Sequence, residues 1–524
     1  MKILGKWVVL SAVLTSVSSV AMAKSPPRAS TDTGVVEGNK DGSVNVFLGI
    51  PYAAPLVGQL RWKPPAPAAK WSGVRKATEF GPRCMQGRVF GDMVFRDPGP
   101  SEDCLTLNVW APVDAKNLPV MVWIYGGGFV AGGTSEPRQD GHNLAKRGVV
   151  VVSMNYRLGV FGFFTHPELA AESDYKAAGN YGLLDQTAAL SWVQRNIAAF
   201  GGNPGNVTIF GESAGSFSVS AQMASPLAKG LLHKAIGESG GGFSSRGLPF
   251  KKLEEREQED AKFAESTLGL KSLADLRAVP AEELLDAALQ KQDGKSEFRF
   301  SPDVDGYFLP SPIPEIFAKG QQNDVPLLAG WNRDEGHFAP TAGVAPTVSA
   351  KETAEKEFGS RAAEFLKLYP ANTDAEATRS LSDFAGDQFI AWATWKWIEA
   401  QKKTGKAPVY RYRFDFEVPA DPKNNHAAAA YHSSEIEYVF GQLDWKDLPW
   451  RAEDRGLTEQ MQKYWTNFAR SGDPNGAGLP RWPVYSADSG WEVIHFNSPS
   501  EAVKDSLRAR YLFLDEVWAK QGGQ

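Results

Sequence analysis

Residues 200–215, F-G-G-N-P-G-N-V-T-I-F-G-E-S-A-G, constrain the fold of this chain more than any other stretch. Val207, Ile209 and Phe210 form a short β-branched and aromatic run, the mark of a buried strand. Gly211 and Gly215 then flank Ser213 at G-x-S-x-G spacing. Glycines at those positions let a strand turn sharply into a helix with the serine held in a strained conformation at the apex, its hydroxyl presented for chemistry. An ordinary glycine-rich turn can carry the same five residues, so the surrounding chain has to decide.

Two apolar runs precede the turn. Residues 120–124 (V-M-V-W-I) end in Y-G-G-G-F, and residues 149–152 continue into S-M-N-Y-R. Unbroken apolar runs of this length suit strands covered on both faces. Residues 183–200 place Leu190, Val193, Ile197 and Phe200 on one helical face. Further strands are predicted at 105–109, 234–238, 325–328, 409–416 and 492–496, with a C-terminal helix over 502–520. Near the N-terminus, 34–38 and 44–50 read as a hairpin around Asp41-Gly42. Strands alternating with helices predict an α/β fold, a large and mostly parallel sheet with helices on both faces. Residues 251–289 and 349–401 read as helical insertions over the active site, and the aromatics Phe389, Trp392, Trp395 and Trp397 as packing. No repeat or composition break divides residues 24–524, which predicts a single domain.

Composition excludes some functions. Net charge is −5 with 22% charged residues, so no basic excess points to nucleic acid. Lys2 and Lys6 precede an apolar run over 7–20 and then Ala21-Met22-Ala23, the pattern of a secretory signal peptide cleaved after Ala23. The mature chain is therefore expected in the periplasm or the medium, without a transmembrane anchor, and residues 24–30 read as a mobile polar leader. Export makes Cys84 and Cys104, the only two cysteines, an expected disulfide. It closes a loop of about 20 residues and contributes about 3 kcal/mol by chain entropy. With no H-E-x-x-H or C-x-x-C spacing, neither a metal site nor a redox motif is indicated, and no cofactor is expected.

A serine hydroxyl needs a base within hydrogen-bond reach and a third group to orient that base. In strand–turn–helix serine enzymes the order along the chain is Ser, acid, His. His432 stands in the polar stretch A-Y-H-S-S-E, whereas His426 lies in an alanine- and asparagine-rich stretch and His495 within a predicted strand. For the acid, W-N-R-D-E-G after the 325–328 run offers Asp334 and Glu335, and spacing does not choose between them. The amides of Gly126-Gly127-Gly128 and of Ala214 are placed to receive a developing oxyanion.

These motifs resemble the type-B carboxylesterases, the family of bacterial para-nitrobenzyl esterases, animal carboxylesterases and cholinesterases. The elbow at 200–215, E-D-C-L-T-L-N-V at 102–109, Y-G-G-G-F, N-Y-R, D-E-G and the block from His432 to Phe440 occur in the family's order. The resemblance implies an α/β-hydrolase fold and an exported serine carboxylesterase acting through an acyl-enzyme on a small-molecule ester with an apolar portion. It implies Ser213 as nucleophile, Glu335 as acid, His432 as base, Gly127, Gly128 and Ala214 as oxyanion donors, and the Cys84–Cys104 disulfide. Phe338 falls where the family places an aromatic of the substrate wall, and Glu212 beside the nucleophile would bias the pocket against anionic groups near the reacting carbon. Cholinesterases carry a tryptophan in the disulfide loop, but residues 85–103 contain none, which argues against a choline ester. Two rivals share the fold: a non-catalytic binding protein, which typically lacks part of the triad, and an amidase or peptidase with the same triad.

Overall fold

The computed structural model describes residues 25–243, 248–292, 295–296, 298–337, 339–424 and 427–521. The expected signal peptide, Phe338 and His426 lie outside the described residues. Eleven strands form one mixed sheet. They are β1 (Asn39–Asp41), β2 (Val44–Pro51), β3 (Thr106–Pro112), β4 (Leu118–Ile124), β5 (Val150–Met154), β6 (Gly202–Glu212), β7 (Lys234–Glu238), β8 (Leu327–Asn332), β9 (Val409–Phe414), β10 (Glu492–Phe496) and β11 (Glu501–Lys504). Across the sheet the order is β11-β10-β9-β8-β7-β6-β4-β5-β3-β2-β1. The seven strands from β10 to β5 are mutually parallel. Antiparallel β11 closes one edge, and β3, β2 and β1 extend the other.

The apolar runs occupy the middle of this sheet. Val120 to Ile124 and Val150 to Val152 are fully buried, because helices cover both faces and no position along these strands meets water. Adjacent residues of β7 make the two faces explicit. A side chain on Gly237 would meet Trp397 and Ser216, whereas Glu238 accepts a hydrogen bond from Trp465 Nε1 at 2.7 Å. Successive strand residues point to opposite faces. Hence α1 (Tyr181–Asn196), α2 (Ala214–Ala224), which carries Ser216, and α3 (Trp392–Thr404), which carries Trp397, include cover for one face, while α4 (Ala452–Ser471) covers the other. Helix α1 is pinned by a buried pair: Asp185 accepts from Arg157 Nε at 2.8 Å and Nη2 at 2.7 Å. That pair gives the N-Y-R stretch after β5 a structural task.

Three boundaries differ from expectation. The hairpin arm facing β2 is Asn39–Asp41, because the two-residue turn Gly42-Ser43 sets Asp41 opposite Val44. Residues 35–37 leave for a separate three-stranded sheet instead, between Arg28–Ser30 and Val74–Lys76. Part of the expected leader is thus ordered: Ala29 and Val36 are buried, and Glu37 pairs with both Arg28 and Lys76. At the other end, residues 501–504 form edge strand β11, and the last helix is Arg508–Gln521. Buried Arg411 on β9 pairs with Asp505, drawing the chain against the sheet before the helix begins.

Cys84 and Cys104 form a disulfide, and the loop it closes folds against the residues after β4. Gln86 accepts from the Gly132 N–H at 2.9 Å and donates to the Gly132 carbonyl at 2.6 Å. Arg83 pairs with Asp97. Replacing both cysteines by serine is expected to lower the urea midpoint by an amount equivalent to about 3 kcal/mol. An unchanged midpoint would show that the Gln86 and Arg83 contacts alone hold the loop.

Candidate active site

Strand β6 ends at Glu212, and Ser213 follows with φ 54° and ψ −123° before α2 begins at Ala214. A non-glycine residue in that region costs about 1–3 kcal/mol and persists only where its surroundings over-determine it. They do here: the Ser213 N–H donates to the Glu238 carbonyl at 2.9 Å, and the Ser213 carbonyl accepts from the Phe217 N–H at 2.9 Å. The flanking glycines are required by close approach. A Cβ on Gly215 would stand 1.9 Å from the Ile124 carbonyl oxygen, and one on Gly211 2.6 Å from the same atom. Helix α2 can therefore start tightly against the end of β4, which leaves the Ser213 side chain facing the cavity beyond the strand ends.

Glu335 follows β8 and His432 lies in the long connection after β9. His432 Nε2 is 3.0 Å from Ser213 Oγ, and Nδ1 is 2.6 Å from Glu335 Oε2. The other oxygen of Glu335 accepts from the Asn332 N–H at 2.8 Å and the Ser239 hydroxyl at 2.6 Å. Its carboxylate is thus fully directed. Asp334, the other candidate, turns away. It accepts from Arg333, Arg379 and the Ala430 N–H, and although burial opposes its charge, the two arginines hold its pKa below the ordinary value. Its backbone N–H also donates to the Ala430 carbonyl at 2.9 Å, and Asn332 Nδ2 donates to the Tyr431 carbonyl at 2.8 Å. Asp334 therefore clamps the His432 loop to the β8 loop, while Glu335 meets the imidazole.

The glycine loop after β4 borders the same space. Gly126 packs against Glu212 and Ser213 closely enough that a Cβ would stand 3.0 Å from Ser213 Cβ. Gly127 and Gly128 have φ of 103° and 63°, and the Gly127 carbonyl is tied back by the N–H groups of Val130 and Ala131, both at 3.1 Å. This turn and buried Ala214 at the start of α2 bracket Ser213 from two sides. The cavity in front of them measures about 900 Å³ and includes Phe90, Met93 and Val94 of the disulfide loop, so the wall that lacks a tryptophan is apolar.

Charges behind the serine set the state of the imidazole. Burial opposes a charged His432, but Glu212, with Oε1 at 3.2 Å from Nε2, and then Glu335 raise its pKa well above the ordinary imidazole value. Burial pushes Glu212 itself up to about 7, against the pull of His432. The two groups consequently titrate as a coupled pair rather than independently.

Three contributors had no distinct signal in the sequence. Ser239 orients Glu335 from the end of β7. Glu435 is buried and accepts from Asn332 Nδ2. Phe389, grouped with the tryptophans as packing, is 40% exposed and stands edge-on to His432 with ring centroids 5.2 Å apart. Trp392, Trp395 and Trp397 are buried as expected. Phe389 differs because it lies in a π-helical turn, Asp387–Ala391, that precedes α3 and rotates it out of the packed face. His495 pairs with Asp415, in keeping with a structural histidine.

The sequence matches the model of the carboxylesterase family over residues 25–513. It is 39% identical over 476 residues to para-nitrobenzyl esterase of Bacillus subtilis (strain 168), covering 88% of this chain and 92% of that protein. It is 37% identical over 493 residues to fumonisin B1 esterase of Sphingopyxis macrogoltabida, covering 89% and 86%. A solved structure of PNB esterase superposes with a TM-score of 0.79 at 35% identity, covering 93% of this chain and 99% of that one.

Since Glu212 is the largest charge raising the His432 pKa, Glu212→Gln is expected to lower that pKa by at least about one pH unit. An NMR titration of the His432 ring checks this, and an unmoved titration would rule out the coupling.

Proposed function

As a member of the carboxylesterase family the chain is a carboxylic ester hydrolase, and we propose that it works through an acyl-enzyme on Ser213, with His432 as base and Glu335 as its orienting acid. The observation that carries this is the unbroken line of contacts from Ser213 Oγ to His432 Nε2 at 3.0 Å and from Nδ1 to Glu335 Oε2 at 2.6 Å. In the competent form Glu212 holds the shared proton and the imidazole is free. His432 Nε2 then takes the Ser213 proton as Oγ attacks the ester carbonyl, and Glu335 stabilises the imidazolium that forms. The amides of Gly127, Gly128 and Ala214, from the glycine turn and the start of α2 that bracket Ser213, are the donors that receive the oxyanion. Collapse expels the alcohol, which His432 protonates, and water then releases the acid by the same steps in reverse order.

Residues 24–524 act as one hydrolase unit, with helical insertions around 251–289 and 349–401. The disulfide is consistent with export to an oxidising compartment, and among the described residues no helix is long and apolar enough to cross a membrane. The 900 Å³ cavity with Phe90, Met93, Val94 and Phe389 in its wall suits a small ester with an apolar portion.

Ser213→Ala is expected to reduce kcat/KM on para-nitrophenyl butyrate by at least about a thousandfold while leaving the circular dichroism spectrum unchanged; residual turnover near the parent value would remove Ser213 from the reaction. Glu335→Gln should cost a factor on the order of 10³–10⁴ through loss of the oriented imidazole. Asp334→Asn should act chiefly on stability, because its partners belong to the loop clamp. The opposite ranking in kcat would transfer the acid role to Asp334.

A further inference from the structure

We propose that Arg299 binds a carboxylate at the far end of the acyl group, so that short dicarboxylic half-esters are substrates of this enzyme. The proposal rests on the assignment of Ser213, Gly127 and Gly128 as the reacting centre. Arg299 stands where three cavities meet: it lines the main cavity beside Ser213, a second, apolar one of about 330 Å³, and a third of about 370 Å³ that Glu259 and Asp260 also line. Its Nη2 lies 3.8 Å from where a Cβ on Gly128 would be. A carbonyl held at the Gly128 amide therefore has the guanidinium within reach of the chain attached to it.

Among the described residues this cation is unpaired. Several other cations around these cavities have acids: Arg138 pairs with Glu136, Lys446 with Glu437, Lys423 with Asp447, and Arg256 with Glu259 and Asp260. Arg299 is exposed and makes no ion pair or hydrogen bond among the described residues, and no acid raises its pKa, which partial desolvation and then neighbouring Arg256 hold below the ordinary arginine value. A guanidinium left without a partner at the mouth of an apolar cavity is a forked donor set matched to a carboxylate.

Geometry also says which half of the ester it meets. The leaving alcohol must depart next to His432 Nε2, which protonates it, and His432 lines the main cavity. The second cavity shares Gly128 and Arg299 with the main one, but its lining includes neither Ser213 nor His432; its walls are residues such as Phe161, Leu285, Phe298 and Phe300. The acyl chain thus runs past Gly128 into apolar walls that accept methylenes, with Arg299 at the entrance. The main cavity, where the alcohol leaves, is lined by Asp92 and Asp421 as well as by cations that already have acidic partners.

The test compares three esters on the parent enzyme, Arg299→Gln and Arg299→Lys: para-nitrophenyl butyrate, mono-para-nitrophenyl glutarate, and the butyryl ester of 4-hydroxybenzoate, whose carboxylate is on the alcohol. Arg299→Gln is expected to lower kcat/KM on the glutarate half-ester by about tenfold or more, mainly through KM, as loss of a charge-assisted contact requires. It should leave the other two esters unchanged, with Arg299→Lys between parent and Gln on the half-ester. Free glutarate should inhibit butyrate hydrolysis competitively, and less well in Arg299→Gln. Equal loss on all three esters, or none on any, overturns the proposal; a loss confined to the hydroxybenzoate ester overturns the acyl-side assignment. Turnover of butyrate without turnover of the half-ester by the parent enzyme refutes the anion site and spares Ser213, whereas failure on every ester refutes the reacting centre and the anion site with it.

Discussion

The 2.6 Å contact between His432 Nδ1 and Glu335 Oε2 joins two connections far apart in sequence, and the geometry around Ser213 follows from it. An imidazole on a long connection has many orientations, and a buried carboxylate beside it fixes one. That carboxylate is itself fixed from the sheet, by the Asn332 N–H at the end of β8 and by Ser239 at the end of β7. Neighbouring parallel strands end at one level, and residues just past their carboxyl ends converge on one crevice. The sheet thus supplies the precision that the His432 loop lacks on its own.

The same strand ends explain why the serine can be strained at modest cost. Gly215 and Gly211 let α2 and β6 close on the Ile124 carbonyl, and the hydrogen bond from the Ser213 N–H to Glu238 compensates a backbone conformation that is poor in isolation. Adding one methyl group at Gly215 would force α2 away from β4. The glycine loop after β4 would then no longer stand opposite Ala214. The elbow and the glycine loop are one packing unit although Gly128 and Gly215 are 87 positions apart.

Much of this was legible in the sequence, because buried parallel strands read as apolar runs whatever surrounds them. Residues 120–124, 149–152 and 234–238 emerged as central strands, and the glycines around Ser213 had one demanding geometry to satisfy. What stayed hidden depended on distant partners. Asp334 and Glu335 are adjacent, and only Arg379 and Ala430, 45 and 96 residues further on, show that Asp334 is occupied elsewhere. The arm opposite β2 was misplaced because Val35–Glu37 suits a strand equally well; a two-residue turn, with its register, decides for Asn39–Asp41. Phe389 escaped because a local π-helical turn shifts its phase relative to the tryptophans that follow.

The acids behind Ser213 impose a further constraint. Burial pushes Glu238 up to about 8 and Glu212 to about 7, and raises Glu435 well above the ordinary carboxyl value. Each ionisation makes the next harder, since the groups repel through a poorly screening interior. Near neutral pH this patch therefore retains protons, while Glu335 accepts hydrogen bonds from two donors besides its contact with His432. The imidazole consequently feels one directed carboxylate and a reservoir that is close to titrating. Charging that reservoir at higher pH draws a proton toward His432, opposing the loss of its own, so the imidazole stays responsive to the groups behind it rather than acting as an isolated histidine.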